Sequence, residues 1–233
     1  MPGSAWSIVL GLGAGLIVAA LGGCANDVIV PSQSEGDSIA IMGGNAQTGA
    51  VGQSLDDDLS VQVVDQLGRP VADLQLDLVL PEGGAVSPSN VATGGDGAAR
   101  FRWTLGPRAG DQRLEAGAGD MGKVTFHAQA VPGSPAADHT DADVPNGSAL
   151  GITAITIHSR DGFGNPRTSG GYASHFQVTL TGANNASPPV VDQQDGSYSA
   201  RYLALLPGTD QVSISLDGQP IEGSPYQSIV EGR

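Results

Sequence analysis

The segment Ile155-Thr156-Ile157-His158-Ser159-Arg160-Asp161-Gly162-Phe163-Gly164-Asn165-Pro166 decides the fold, because Val61-Gln62-Val63-Val64-Asp65-Gln66-Leu67-Gly68-Arg69-Pro70 repeats its pattern earlier in the chain. Both run from a strand-like stretch into an Asp-x-x-Gly turn and a proline. A second echo sets Asp96-Gly97 and Phe101 to Trp103 against Asp195-Gly196 and Ala200 to Tyr202, and a third sets Asp111-Gln112 against Asp210-Gln211. Asp65 and Asp161 lie 96 positions apart, and Asp96 and Asp195 lie 99 apart. A period near 100 residues is about the length of one immunoglobulin-type β-sandwich. The sequence therefore predicts an all-β chain with two tandem modules of that kind.

Alternation within each copy supports this class. Leu59, Val61 and Val63 alternate with Ser60 and Gln62, and Leu74, Leu76, Leu78 and Leu80 alternate with Gln75, Asp77 and Val79, so each run is expected to bury one face. Arg100, Arg102 and Thr104 alternate with Phe101, Trp103 and Leu105, which puts the arginines in solvent and the aromatics at the centre of the core. Val124, Phe126 and Ala128 close the first copy. In the second, the alternating sets are Ile155 and Ile157; Phe176, Val178 and Leu180; Tyr198, Ala200 and Tyr202; and Val212, Ile214 and Leu216. Pro132 to Asn146 (PGSPAADHTDADVPN) has no apolar period and contains the expected linker, a semi-extended spacer, although a first edge strand of the second module could begin near Asp141.

Composition agrees. The 233 residues include 35 Gly and 15 Pro, which oppose long helices. With 24 Asp and Glu against 10 Lys and Arg the net charge is −14, which disfavours a general grip on nucleic acid or on an anionic membrane. One cysteine, Cys24, excludes an internal disulfide, a CxxC pair and a cysteine-rich zinc site.

Residues 1–23 carry no charge, and the apolar run Ile8 to Leu21 is too short for a comfortable membrane span, so it reads as an export signal. It ends in Leu21-Gly22-Gly23-Cys24, which resembles the bacterial lipoprotein signal; the resemblance implies cleavage between Gly23 and Cys24 and acylation of Cys24. An ordinary signal peptide with a cysteine nearby is the alternative, and the absence of Lys or Arg before the apolar run departs from the usual pattern. Residues 24–36 read as a flexible tether. Ala25, where an inner-membrane retention signal usually has Asp, implies the outer membrane in a two-membrane cell.

Two family resemblances cover the rest. The second copy, residues 146–230, is similar to a filamin-type repeat through Asp161 to Pro166, Ser169-Gly170-Gly171, His175-Phe176-Gln177-Val178, Asp195-Gly196-Ser197-Tyr198, Pro207-Gly208 and Pro220 to Tyr226. The first, residues 37–131, is similar to the bacterial Ig-like (Big-1) domain of invasins and intimins through Gly44 to Gly49, Val51-Gly52, Asp65 to Val71, Gly84 to Pro88 and Phe101 to Pro107. It departs from them at Asp56-Asp57-Asp58, where such domains more often carry a proline. Residues 132–145 are left as the linker.

No catalytic constellation emerges. His127, His158 and His175 occupy strand contexts, His139 lies in the linker, and no HExxH or HxH spacing supports zinc. Asp56 to Asp58, and Asp138, Asp141 and Asp143 at the junction, are the candidate calcium ligands; without EF-hand or nonapeptide spacing they read as solvated surface, and neither a cofactor nor a metal is expected. The Asp161 to Pro166 loop is not a dinucleotide loop, because no helix follows, and turn chemistry accounts for it.

The resemblances imply a non-enzymatic, lipid-anchored cell-envelope protein whose modules act as spacer and adhesive or scaffold surface. The partners implied are a membrane, through the lipid on Cys24, and a protein or peptide, with no nucleic acid. A carbohydrate- or polymer-binding lipoprotein, stiffened by calcium at the junction, is the alternative. The filamin resemblance further implies a groove beside the third and fourth strands where an extended peptide adds by backbone pairing. Here the third strand maps to His175 to Leu180, with His175, Gln177 and Thr179 outward. Pro188 and Pro189 in the neighbouring segment Ala186 to Asp192 either hold the groove open or protect an edge.

Overall fold

The computed structural model describes residues 38–80 and 82–232. The expected signal 1–23 and tether 24–36, with Gly23 and Cys24, lie outside the described residues. Those described fall within one compact unit and form seventeen strands, with only three short 3-10 turns between them.

The first sandwich comprises β1 (Ser38–Gly43), β2 (Gln47–Ala50), β3 (Leu59–Val64), β4 (Asp77–Val79), β5 (Ala85–Ser87), β6 (Ala98–Thr104), β7 (Gly110–Gly117) and β8 (Lys123–Val131). One sheet has the order β1-β3-β6-β5 and the facing sheet β2-β8-β7-β4. The second sandwich comprises β9 (Asp141–Asp143), β10 (Gly147–Ser148), β11 (Gly151–His158), β12 (Phe176–Gly182), β13 (Val190–Asp192), β14 (Ser197–Ala204), β15 (Gly208–Leu216), β16 (Gln219–Pro220) and β17 (Tyr226–Glu231). Its sheets run β9-β11-β14-β13 and β10-β17-β15-β12, with β16 turned back on β15. The two orders are the same plan, down to the parallel pairings of β2 with β8 and β10 with β17. The chain is two immunoglobulin-like sandwiches.

The cores follow the alternation. Phe101, Trp103 and Phe126 are fully buried in the first, with Phe101 and Phe126 edge to face at 5.8 Å between ring centres. Arg100 and Arg102 point outward. In the second, Ile155, Ile157, Phe176, Val178, Leu180, Tyr198, Ala200 and Tyr202 are all buried. The two buried clusters have no residue in common.

Three sequence expectations change. Leu74 to Leu80 does not make one strand. Leu74 and Leu76 exchange backbone bonds with Thr93 and Val91, and only Asp77–Val79 pairs with β7, so the run divides between two partners. The segment 132–145, expected as linker, is pinned to the second sandwich: Gly133 N–H donates to Asp161 Oδ2 at 3.0 Å and Ala136 N–H donates to Arg160 O at 2.8 Å, while the edge strand allowed near Asp141 is present as β9 on β11. The third echo slips by one, because Gly110 and Gly208 both open a strand at positive φ, which aligns buried Asp210 with buried Gln112.

Candidate functional site: the open edge and the joint

The residues expected to flank a peptide groove lie along β12. Phe176, Val178 and Leu180 face the core, while Gln177 is exposed and Thr179 half-buried on the outer face. Those two border a recess of about 250 Å³ together with Ser213, Ser215 and Pro220. His175 is not part of the strand. It ends a 3-10 turn over Ala173–His175, its carbonyl accepts from Asp217 N–H, and its Nδ1 lies 2.8 Å from Asp217 Oδ1, so it is tied to the turn after β15.

β12 has β15 on one side only. On its other side Leu180 and Ala186 exchange both backbone bonds, at 2.8 and 3.3 Å. By the two-residue period of an antiparallel ladder, Val178 turns its N–H and C=O and Phe176 its C=O toward that same edge, while Phe176 N–H donates to Ala173 O. No described strand pairs with them there. Pro188, half-buried, and Pro189, exposed, follow Ala186 and carry no N–H to close the ladder. Beyond them Val190–Asp192 pairs with β14 in the opposite sheet, so the edge of β12 stays open.

Turn chemistry does not exhaust the Asp161 to Pro166 loop, because the loop is also the joint between the sandwiches. Asp161 is buried at 1% exposure. Its Oδ1 accepts from Phe163 N–H and Asn165 N–H, both at 2.9 Å, and its Oδ2 accepts from Gly133 N–H. Burial pushes this carboxyl up, but hydrogen bonds from Asn165, Gly133 and Phe163 outweigh it and hold the group below its ordinary value of 3.8. Asn165 Nδ2 then donates to Pro107 O at 2.8 Å, and Ala109 N–H donates back to Asn165 Oδ1 at 3.0 Å, both across the boundary. Phe163 lies against Gly52, where a β-carbon would meet its ring at 2.9 Å. Arg167 donates to Gly133 O and stacks 4.7 Å from the centre of the Tyr172 ring, whose hydroxyl donates to Ser134 Oγ. Sequence reasoning missed Phe163 and Asn165 as joint residues. The available signal was an aromatic at a turn tip, outside any strand alternation.

Asp58, Asp141 and Asp143 meet basic side chains instead of converging on one point. Asp58 pairs with Arg102 at 2.9 Å, Asp143 with His158 at 3.1 Å, and Asp141 with Arg160 at 3.9 Å. Around the last two lies an open recess of about 580 Å³ that includes Glu222 and Tyr226. Among the described residues no three His, Cys, Asp or Glu side chains are grouped to hold a metal ion.

Residues 140–227 match the family described as the Filamin/ABP280 repeat. The chain is similar to the E3 ubiquitin-protein ligase TRIM71 of Rattus norvegicus, 35% identical over 80 residues, which are 34% of this chain and 9% of that protein. It is also similar to Filamin-C of Mus musculus, 27% identical over 153 residues, 64% of this chain and 5% of that protein. The chain thus spans less than a tenth of either relative. Among solved structures it is similar to the Escherichia coli adhesin FdeC, at TM-score 0.49 and 20% identity over 85% of this chain and 65% of that one. It is similar to invasin, described as a bacterial integrin-binding protein, at TM-score 0.42 and 19% identity over 84% of this chain and 39% of that one.

Proposed function

We propose that this chain, with a filamin-type repeat over residues 140–227, is an exported, lipid-anchored protein of the bacterial cell envelope. In this reading its two sandwiches form a non-enzymatic spacer that carries an adhesive or scaffolding surface. The observation that carries it is the open edge of β12: Val178 directs its N–H and C=O, and Phe176 its C=O, outward with no described strand to receive them, as a guest strand requires. The pinned joint supports the spacer role, since side-chain bonds across the boundary oppose hinge motion. Anchoring rests on Gly23 and Cys24. The carbohydrate-binding alternative has less support, because Phe101, Trp103, Phe126, Phe176, Tyr198 and Tyr202 are all buried and the exposed Phe163 is set against Gly52 in the joint.

The reading is tested by capture from envelope extract on immobilised folded unit. Gln177→Glu and Thr179→Lys should each abolish capture while the melting temperature stays nearly unchanged. Equal capture by wild type and both variants would contradict the edge as the partner site.

A further inference from the structure

The joint that links the two sandwiches has counterparts at the two outer ends of the described residues. In the joint, the second sandwich supplies a plug, Phe163 and Asn165 on the Asp161 turn, and the first supplies a socket, Gly52 with Pro107 to Ala109. The free end of the first sandwich carries the same plug. Asp65 Oδ1 accepts from Leu67 N–H and Arg69 N–H at 2.9 Å, as Asp161 Oδ1 does from Phe163 and Asn165, so Leu67 stands where Phe163 stands and Arg69 where Asn165 stands. Leu67 is 74% exposed.

The free end of the second sandwich carries the same socket. Val51 N–H donates to Val131 O after β2, and Ala149 N–H donates to Glu231 O after β10, so Leu150 stands where Gly52 stands. Both are left-handed, at φ +70 for Gly52 and +64 for Leu150. Pro207 stands immediately before Gly208 as Ala109 stands before Gly110. A leucine that is 61% exposed and left-handed gains nothing from its own core and costs about 1–2 kcal/mol in backbone conformation. Leu205 and Leu206 beside it are 57% and 59% exposed.

The differences between joint and free ends compensate one another. Where the socket holds glycine the plug is phenylalanine, and where the socket holds leucine the free plug is the smaller leucine. Asn165 uses an acceptor for Ala109 N–H and a donor for Pro107 O. Arg69 has only donors, and the free socket answers with Pro207, which has no N–H, and the Leu205 carbonyl. The apolar segments themselves add no charge: Arg69 and Asp65 neutralise each other at 2.7 Å, and Gly147 to Leu150 and Leu203 to Gly208 are uncharged, with exposed Glu231 the acidic residue bonded beside Ala149. Ile152 and Leu203, paired across β11 and β14 next to this end, are 74% and 52% exposed and extend its apolar surface.

We propose that a second copy of this chain docks head to tail, its Leu67 plug seated on the Leu150–Leu206 socket. The proposal concerns the folded unit alone and does not rest on the anchoring reading. The plug and socket of each sandwich lie at opposite ends, so the contact is heterologous and leaves one plug and one socket open after each addition.

Sedimentation velocity of residues 35–233 over roughly 10 μM to 1 mM is expected to show a weight-average mass that rises past the dimer without a plateau. Leu67→Asp and Leu206→Asp should each remain monomeric with unchanged melting temperature, both residues being exposed; Leu205→Asp replaces the second if it lowers the melt. An equimolar mixture of the two variants should associate and stop at the dimer, since one intact plug then meets one intact socket. A wild type that stays monomeric throughout, an association that survives the substitutions, or a mixture that does not associate would overturn the proposal.

Discussion

Asn165 reaches across the boundary between the sandwiches and donates from Nδ2 to the Pro107 carbonyl at 2.8 Å, while the same amide group also contacts both oxygens of Asp161. One side chain thus couples the turn that shapes the second sandwich to the surface of the first. A neutral hydrogen bond contributes about 0.5–1.5 kcal/mol net. Asn165→Ala, which removes both cross-boundary bonds, is expected to cost about 1–2 kcal/mol in the thermal melt. An unchanged melt would show the bonds to be dispensable.

Asp161 makes the joint acid-sensitive. Its folded carboxyl titrates below its ordinary value of 3.8, so its contribution to stability is present above that value and is lost as pH falls through the lower folded value. Urea melts of wild type and Asp161→Asn should therefore converge as pH drops below about 4 and separate above it. A constant gap across that window would contradict the assignment.

The repeated Asp-Gly turns have a backbone reason. Gly196 has φ +88, and a β-carbon there would collide with the Arg167 carbonyl; Gly97, its counterpart, has φ +72 with a β-carbon 2.6 Å from Val63 O. Gly196→Ala is expected to destabilise the second sandwich by more than about 1 kcal/mol. Wild-type stability of the variant would mean that the turn relaxes freely.

Separate cores predict separable damage. Phe126→Ala should cost about 3–5 kcal/mol in the first sandwich. Trp103, the tryptophan at the centre of that core, reports its melt by fluorescence, and the amide signals of β11 and β14 report the second sandwich. Simultaneous loss of both at the lower temperature would show that the cores unfold as one.

Acylation is tested directly. Cys24→Ser should release the protein from membranes into a soluble or uncleaved form. Continued partitioning of the variant into detergent would argue against the lipid anchor.

The strands were legible because their signal is local. Ile155, Ile157, Tyr198 and Tyr202 alternate with polar neighbours, and burial on one face of a strand follows from that alone. The joint was hidden because Asn165 finds its partner 58 residues away in a backbone carbonyl, which leaves no trace in residue type. β9 was legible only as an edge strand that could begin near Asp141, because the pairing of Asp141 and Asp143 with Arg160 and His158 across the ladder leaves no local pattern. His175 was placed one residue too early in its strand because its bond to Asp217, from a turn 42 positions on, draws it out of line.

The central claim is that the sandwiches are held as one stiff unit presenting the edge of β12. Nuclear spin relaxation of backbone amides in residues 35–233 tests it most directly. Equal rotational correlation times for the two sandwiches, with Asn165→Ala separating them, is the predicted result. Two independent correlation times in the wild type would contradict it.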